Sequence, residues 1–531
     1  MANVLDKAIA AVAPRYAVKR AAARSALNII NSGYGNYGAN HRKRSMRGWN
    51  YYGGSSKEDI EDNLDTLRQR SRDAYMGIPM ATGAVKTLRT NVVCSGLVPT
   101  PQVDADFLKL SEEQAENLQA QIIREFNLWA DSPMCDADQT DDFWKLQMLA
   151  FEGYLMNGDS FAIMPYSKPK SWQPYGLKVR LIEADRVCSP NGDDVLFPRT
   201  VQGVSVHQIV QGVETDASGA VVAYWICNRH PLASDYNAPA EWTRVEAYGA
   251  ATGRRNVLHV MQRERAGQRR GVPLLAPVLE SLKQIGRYTE AELDAAMIAA
   301  MVTVMIERDS PTSSPPFAEE PDRTKNPDGP DDDYGIALAP AAIFDLREGE
   351  KAHMLDPKHP TTTFDGFVAA MTKQIGAALE IPPEVLYKSF SSNYSASRGA
   401  LNEFWRTCGM MRDSFASDFC QPIYEQWFTE AVVRGRIAAP GFFDDPAIAK
   451  AYMNCVWNGP ARTSLDAKKE VEAAILRVDS AFSTAQQETA QLTGGDYRAN
   501  VRQRKSEKKK LMEVNGDDKQ HEFPDDPERD Q

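Results

Sequence analysis

Closely spaced cysteines are absent from this sequence. Its 531 residues contain seven cysteines and no C-x-x-C pair. They are dispersed along the chain, at Cys94, Cys135, Cys188, Cys227, Cys408, Cys420 and Cys455. Scattered thiols are typical of proteins in a reducing compartment, whereas structural zinc sites need closely spaced ligands. The spacing therefore predicts reduced cysteines in a cytosolic compartment, without a disulfide framework or structural zinc.

The sequence also has no apolar run long enough to cross a membrane. The longest run, AAMIAAMVTVMI, covers residues 295–306. At about 1.5 Å per residue, a helix of this length is shorter than a hydrocarbon core of roughly 30 Å. Lys and Arg interrupt the Ala-rich residues 1–28 before a signal-peptide core could form. We therefore expect no membrane partner and interpret the N-terminus as an arm or surface helix.

Positive charge is in the minority. The chain has 61 Lys and Arg against 72 Asp and Glu, a formal net charge of -11. Proteins that coat nucleic acid neutralise phosphates with Lys and Arg, so the composition argues against that class, although DNA could still pass nearby. The two ends differ in charge, because residues 1–57 are basic and the final fifteen are mostly acidic. We predict a flexible arm over 1–57 and a disordered charged tail over 501–531.

Signatures of catalysis and cofactor binding are missing as well. The sequence contains no G-x-x-x-x-G-K-[ST], H-E-x-x-H or G-x-S-x-G motif. GYGNYG at 33–38 fits G-x-G-x-x-G but lacks the flanking strand and helix, which favours a linker. The pair His353 and His359 and the acidic run Asp331–Asp333 lack the rigid spacing of a metal site. We expect no catalytic residue, no metal and no cofactor.

Helix and strand patterns occur in separate blocks, which is typical of α+β proteins. Amphipathic periodicity predicts helices over 58–94, 108–131 and 141–156. Strand composition marks 161–166, 177–183, 212–226 and 256–262. Turn residues at 157–159 and 217–219 predict hairpin connections between strands.

The second half contains a helix, a small β element and another helix. A long helix is predicted over residues 273–300, with Pro273 and Pro277 in its first turns. Strand-like Val302–Arg308 follows, then a Pro-, Ser- and Asp-rich loop over 309–334 and a second strand, Ala342–Arg347, before a turn at Gly349-Glu350. Apolar residues then fall on one face of a helix over 364–379.

This last helix stops at Pro382-Pro383. The polar stretch KSFSSNYSASR covers residues 388–398, and the helical pattern returns from Ala400 to Ile437 with a predicted kink at Pro422. A final helix is predicted over 464–492, with Ser464 as its cap. A plain helix-helix connector would explain the polar stretch, so its function depends on the kind of protein.

Four stretches of the sequence share their order with a known family. They lie at 55–101, 259–282, 344–405 and 454–475, and they include LRQRSR, RERAGQRRGVP, ALEIPPEVLYKSF and NCVWNGP. In this order they resemble the portal proteins of tailed bacteriophages, specifically the lambda-like portal family, over most of residues 50–500. The chain departs from the family pattern at 479–481, where glycine is frequent, and in the length of the loop 309–334.

The resemblance implies an α+β portal fold with a wing, a two-helix stem, a small β clip and a helical crown, assembled as a ring of about twelve copies. Mapped on this sequence, the implied parts are the N-terminal arm 1–57, wing 58–271, first stem helix 272–300, clip 301–361, second stem helix 362–379, tunnel loop 380–398, long wing helix and return 399–463, crown 464–500 and tail 501–531. Such a ring needs heterologous contacts that close on themselves.

The resemblance also implies roles for individual residues. The candidates that touch DNA from the tunnel loop are Lys388, Ser391, Ser392, Asn393, Tyr394 and Arg398. The candidates that dock partners at the clip are Val302, Val304, Ile306, Arg308, Ile343, Asp345 and Arg347. The stem candidates are Gln284, Arg287, Lys373 and Gln374. A mostly uncharged loop would touch phosphates weakly, so that DNA could slide.

A portal of this kind is the channel for DNA packaging and ejection at one capsid vertex. The implied partners are further copies of the chain, double-stranded DNA, the terminase large subunit, a head-completion adaptor, and the major capsid and scaffold proteins. Its implied locations are the virion and, during assembly, the host cytoplasm. The alternatives are another virion structural component, which would lack the helix-strand-helix order, and a metal-dependent DNA-processing enzyme, which would need ordered acidic clusters.

Overall fold

The computed structural model of the chain describes residues 13–16, 18–20, 22–23, 44–46, 53–234, 239–301, 305–308, 350–353, 364–390, 394–461 and 466–514. Residues 1–59 and 60–531 are two separate units. In the first unit, short helical turns form at Arg44–Met46 and Ser56–Asp59. The amide of Ser55 donates to the Glu58 carboxylate at 2.7 Å, which caps the second turn. The GYGNYG segment and much of the predicted arm lie outside the described residues.

The larger unit is mainly helical. Its α-helices are α1 Leu64–Gly77, α2 Pro79–Val92, α3 Glu112–Ala130, α4 Phe143–Asn157, α5 Leu279–Met301, α6 Phe364–Ala378, α7 Pro383–Tyr387, α8 Tyr394–Phe415, α9 Gln421–Val433, α10 Pro446–Met453, α11 Ala467–Asp479, α12 Ala485–Thr493 and α13 Tyr497–Val514. Two of them match the predictions over 108–131 and 141–156 to within a few residues at each end.

The strands form small antiparallel sheets. They are β1 Val98–Pro101, β2 Asp159–Ile163, β3 Arg180–Ile182, β4 Arg199–Val201, β5 Val204–Val206, β6 Gln208–Val210, β7 Val213–Thr215, β8 Val221–Cys227, β9 Trp242–Glu246, β10 Val257–Met261, β11 Met305–Arg308, β12 Glu350–His353 and β13 Cys455–Asn458. The sheet orders are β1-β13, β10-β2-β3, β4-β5, β6-β7-β8-β9 and β11-β12. The predicted mixture of helix and sheet is confirmed.

The main core packs helices around an aromatic cluster. The Phe126 ring lies edge-on to Trp427 with centroids 5.0 Å apart, and it contacts Tyr424 at 5.6 Å and Phe143 at 5.8 Å. These four side chains are almost completely buried. Burying a large apolar side chain contributes roughly 1.5–3 kcal/mol, so this cluster is a main source of stability where α3, α4 and α9 meet.

The predicted helix over 58–94 is two helices. Ile78 lies between α1 and α2 with an extended backbone, φ -111° and ψ 110°. The residue before a proline avoids the helical region because the proline ring crowds it. Pro79 then occupies the first turn of α2, where its missing N–H costs nothing.

The predicted hairpin turn at residues 157–159 is wrong. Gly158, with φ 83°, is a left-handed cap at the end of α4, and its N–H donates to the Tyr154 carbonyl at 2.8 Å. Asp159 already begins β2. The Asn-Gly-Asp triplet therefore ends a helix, because glycine suits a left-handed C-cap as well as a tight hairpin. The turn at 217–219 is confirmed between β7 and β8.

The helix predicted from Pro273 begins later. A 3₁₀ turn at Ala276–Val278 leads into α5, with Pro277 inside the turn and Pro273 before it. The missing N–H of Pro277 and its restriction on the preceding residue explain why regular α-helix starts only after it.

The predicted helix over 400–437 begins six residues earlier and contains a π-helix. Between α8 and α9, residues Ala416–Cys420 form i→i+5 bonds and end two residues before Pro422. A proline inside a helix clashes with the carbonyl four residues earlier, and a wider π turn relieves that clash. The irregularity predicted at Pro422 is thus a π-helix placed just before it.

The C-terminal region contains more helix than predicted. Ser464 lies outside the described residues, and Asp466 caps α11 by accepting from the Lys469 amide at 3.3 Å. The predicted helix 464–492 is split at residues 480–484 into α11 and α12, where Thr484 begins a capping box. The predicted disorder over 501–531 is wrong for 501–514, which belong to α13 because Lys, Arg and Glu favour helix.

All seven cysteines lie within the described residues, and none of them forms a disulfide there. Within the described residues, no helix is both long and apolar enough to span a bilayer.

Candidate functional site

The region predicted to carry function contains two helices joined through a strand pair. Helix α5 leads to β11, and β12 leads to α6. The strands pair so that Arg308 lies opposite Glu350 and Glu307 opposite Lys351. The predicted first strand is confirmed for residues 305–308.

The second predicted strand, Ala342–Arg347, lies outside the described residues. The strand that pairs with β11 is Glu350–His353, so Glu350 belongs to a strand and not to the predicted turn. Of the clip candidates, Ile306 and Arg308 lie in β11. Val302, Val304, Ile343, Asp345 and Arg347 lie outside the described residues.

Helices α5 and α6 pack on each other through aromatic rings. Tyr288 stacks on Phe364 with centroids 5.6 Å apart and meets Phe367 edge-on at 4.8 Å. Closer to the main core, Ile285 and Ile375 are buried. The stem candidates Gln284, Arg287, Lys373 and Gln374 are all exposed. The two helices therefore bury one face and present these polar residues on another.

The chain stops after α6 because it makes a tight, buried turn. Glu380 has φ 55°, and the Ile381 amide donates back to the Gly376 carbonyl at 2.9 Å. Leu379 and Ile381 are buried on either side of the exposed Glu380. A Cβ on Gly376 would lie 2.5 Å from the Ile381 carbonyl oxygen, so this close approach needs glycine. The turn is thus anchored by packing and backbone bonds.

Helix α7 follows the turn and is fastened to α6. The hydroxyl groups of Thr372 and Tyr387 are 2.7 Å apart, and Thr372 is buried. Lys388, with φ 55° and ψ 35°, caps α7, and its N–H donates to the Glu384 carbonyl. Lys388 and Phe390 are exposed. The polar stretch therefore leaves from a fixed base.

The segment predicted as a tunnel loop, 380–398, contains helical residues, because α7 spans Pro383–Tyr387. Ser391, Ser392 and Asn393 lie outside the described residues, and α8 already begins at Tyr394. Arg398 is therefore exposed on the first turns of a helix. Ala396, Arg398 and the residues after them favour helix enough to continue it back to Tyr394.

A buried charge cluster that the sequence does not predict involves the segment that leads into α5. Asp159 in β2 accepts from Arg68 at 2.6 Å and from the Arg270 Nε at 2.8 Å on one oxygen. Its other oxygen accepts from His259 Nε2 at 2.8 Å and from the Gly271 amide at 2.6 Å. The side chains of Arg68, Asp159 and Arg270 are at most 1% exposed. The cluster joins α1, β2, β10 and the segment before α5.

One carboxylate in this cluster is bonded by two guanidinium groups. Burial alone would raise the pKa of Asp159, but Arg270, the bond from His259 and Arg68 hold it well below its usual range. Burial, with the nearby Arg270, lowers the pKa of Arg68 to about 10. Burial also lowers the pKa of His259, despite its bond to Asp159. We therefore assign His259 as neutral, with its Nε2–H donated to Asp159.

Two glycines let the backbones meet beside this cluster. A Cβ on Gly271 would lie 1.9 Å from the Gly158 carbonyl oxygen. Arg270 also donates to the carbonyls of Val187 at 2.7 Å and Ala184 at 2.8 Å. Arg68 and Arg270 both occur in the motifs LRQRSR and RERAGQRRGVP, but charge patterning does not tell which arginine of each run is buried.

A possible metal-binding group is occupied by an arginine instead. Glu183, Asp185 and His230 are close enough to one another to hold a cation. Arg72 donates to Asp185 at 2.6 and 3.0 Å and to Glu183 at 3.3 Å. A guanidinium with two bonds to one carboxylate neutralises it, so the group is a salt-bridge network.

A known protein family matches the part of the sequence that contains the helix-strand-helix region. The sequence model for "Phage portal protein, lambda family" matches residues 42–412, which include both helices and both strands. Portal protein B of Escherichia phage lambda is 24% identical over 477 residues, covering 85% of each protein. The portal protein of Escherichia phage N15 is 24% identical over 479 residues, again covering 85% of each.

Solved structures of gene transfer agent (GTA) particles are also similar. A chain from the neck of a native GTA particle, computed with C12 symmetry, has a TM-score of 0.40 and 12% identity over 81% of this chain and 93% of that chain. A chain from the virion of a native GTA particle has a TM-score of 0.42 and 13% identity over 80% of this chain and 92% of that chain.

The family match covers well over half of the chain. Portal proteins of this family are structural components of phage particles and not enzymes. The expectation of a non-catalytic protein is confirmed on that basis, as is the resemblance to lambda-like portals. This chain therefore belongs to the lambda family of phage portal proteins.

Proposed function

We propose that the chain assembles as a ring of about twelve copies at one capsid vertex and forms the channel through which double-stranded DNA is packaged and later ejected. The observation that carries the proposal is the order of α5, β11, β12 and α6 inside the family match. In this proposal α5 and α6 belong to the stem, β11 and β12 to the clip, residues 58–271 to the wing, and residues 464–500 to the crown.

Exposed apolar residues on the stem support assembly. Leu293 and Met297 on α5 and Phe367 on α6 are 61%, 52% and 42% exposed in the single chain. Large apolar side chains left in water at regular places on a helix favour association with another surface. In a ring these residues would contact a different face of the neighbouring subunit. Such head-to-tail contacts form a closed ring when the rotation from one subunit to the next is a whole-number fraction of 360°.

The tunnel-loop proposal rests on the anchored turn. Lys388 is held at the end of α7, and Arg398 is exposed near the start of α8. We propose that these residues, with Ser391, Ser392, Asn393 and Tyr394, touch passing DNA. Few charges on a fixed base would give weak, sequence-independent phosphate contacts that permit sliding.

The clip proposal concerns partners. Within the described residues, β11 and β12 pair only with each other, and a partner's strand can extend the outer edge of such a pair. We propose that Ile306, Arg308 and the neighbouring clip candidates dock the terminase large subunit and later the head-completion adaptor. The wing would contact the major capsid and scaffold proteins. The protein would be located in the host cytoplasm during assembly and in the virion afterwards.

The test is the mass and shape of the purified full-length protein, by native mass measurement and negative-stain images. We expect rings of about twelve copies with a central hole. A double substitution Leu293→Asp and Met297→Asp should release single chains, whereas the control Gln284→Glu, on the same helix, should leave rings intact. A monomer or compact dimer of the unsubstituted protein at micromolar concentration would refute the proposal.

A further inference from the structure

The terminal helix α13 is unusually basic for this chain. Residues 497–514 contain seven Lys and Arg against two Glu, although acidic residues outnumber basic ones in the whole protein. Every residue from Ala499 to Met512 is exposed. A concentration of one charge sign on a fully exposed helix creates a local field opposite to that of the protein as a whole.

The cations are arranged along the helix. Arg498, Arg502, Lys505 and Lys509 are spaced i, i+4, i+7 and i+11, which places them on one face. From Arg502 to Lys509 this face extends about 10 Å at 1.5 Å per residue. Arg504 and Lys508 form a second row to one side of it. The helix therefore presents cations over a broad surface and not in a single pocket.

The N-terminal end of α13 is fixed to the rest of the larger unit. The Arg498 amide donates to the Asp496 carboxylate at 2.8 Å, and the Arg498 guanidinium bonds the Gln119 side chain of α3, which is buried. Arg498 is thus used as an anchor, and the face beyond it, starting at Arg502, extends into solvent.

We propose that the exposed basic face of α13, formed by Arg502, Lys505 and Lys509, binds the phosphate backbone of double-stranded DNA without sequence preference. The inference rests on the proposed function for the presence of DNA near this helix. Lys and Arg contacts to phosphate supply affinity without reading bases, and three cations on a straight face suit a regular row of phosphates. Cations on more than one side of the helix favour a polyanionic rod over a peptide that needs an apolar pocket.

The test is the salt dependence of DNA binding by the full-length protein. Binding to two duplexes of unrelated sequence is measured by fluorescence anisotropy across a series of salt concentrations. The test variant combines Arg502→Gln, Lys505→Gln and Lys509→Gln. The matched control combines Lys86→Gln, Lys168→Gln and Arg199→Gln, which removes three exposed cations from other surfaces and leaves the same net charge.

Each phosphate contact contributes about 0.9 to the slope of log K against log salt, so the test variant should reduce the slope by about 2.7, equally for both duplexes. The control should keep the slope of the unsubstituted protein. Circular dichroism checks that α13 stays helical, which glutamine permits. Equal slopes for the test variant and the unsubstituted protein would overturn the inference.

A further arm removes residues 515–531, which contain seven acidic residues against two basic ones. If DNA binding appears only after this removal, the basic face binds the acidic residues at 515–531 in the full-length protein and not DNA. That result would also overturn the inference. The outcome is separable from that of the ring. If rings form but the slopes do not differ, only this inference fails, and if the slopes differ without rings, only the proposed function fails.

Discussion

Asp159 is the residue whose replacement should reveal most about how α1 and β2 hold the segment that leads into α5. Asp159→Asn keeps the size of the side chain but removes its charge. The amide oxygen of the asparagine can still accept hydrogen bonds, but its NH₂ group cannot. In one orientation the NH₂ group would face the donors of Arg68 and Arg270, and in the other it would face those of His259 and Gly271. Two buried guanidinium groups would then lose the carboxylate that both of them bond.

The size of the effect follows from this burial. Breaking a buried ion pair by removing one partner costs about 3–5 kcal/mol, because the remaining charge stays away from water. Asp138 provides the matched control, since its carboxylate lies 3.5 Å from Arg180 and both side chains are about half exposed. Exposed pairs contribute roughly 0–1 kcal/mol, so Asp138→Asn should have little effect.

The assay is unfolding of both variants in urea, followed by tryptophan fluorescence, together with hydrogen exchange of the amides at 263–272. We expect a clearly lower midpoint and faster exchange in this segment for Asp159→Asn alone. Equal midpoints for the two variants, or unchanged exchange at 263–272, would refute the claim that Asp159 holds the segment leading into α5.

Two further predictions concern other parts of the larger unit. Gly376→Ala should destabilise the protein by about 1–3 kcal/mol, because the new Cβ would lie 2.5 Å from the Ile381 carbonyl oxygen. Gly366→Ala, in the same helix, has open space around the new Cβ and should stabilise the protein by about 0.5–1 kcal/mol. Thermal unfolding measures both variants, and melting temperatures that shift in the same direction would contradict the clash at Gly376. The pKa of His259 is lower in the folded state than in the unfolded state, so the unfolded chain takes up more protons as pH falls below about 6.5 and the protein loses stability there. Unfolding free energy measured from pH 7.5 to 5 should therefore fall more steeply for the unsubstituted protein than for His259→Gln, and parallel curves would show that His259 does not contribute.

Much of the helical framework could be predicted from sequence periodicity. Helices with one apolar face and clear end signals, such as α3 with its capping box at Ser111, agree with the structure to within a few residues. The errors occur where one local motif fits two structures. Asn157-Gly158-Asp159 suits a hairpin and a helix C-cap, and the basic residues after 500 suit a tail and a helix.

The candidate site was predicted only in outline. The order of helix, strand, strand and helix follows from local patterns, but strand register depends on which residues meet across the sheet. The pairing of Arg308 with Glu350 involves a partner more than forty residues away, which local composition does not specify. The Asp159 cluster was missed for the same reason, since its members come from four separate segments that meet only in the folded chain.

The π-helix at Ala416–Cys420 has a consequence for how this family can vary. Such a turn holds one more residue than an α-helical turn, so it rotates everything after it by about 100° relative to an unbroken helix. Deleting one residue there would restore a regular helix but aim Tyr424 and Trp427 away from Phe126. The rotation of α9, which faces the aromatic core, relative to α8, which faces the anchored turn, therefore depends on a single inserted residue.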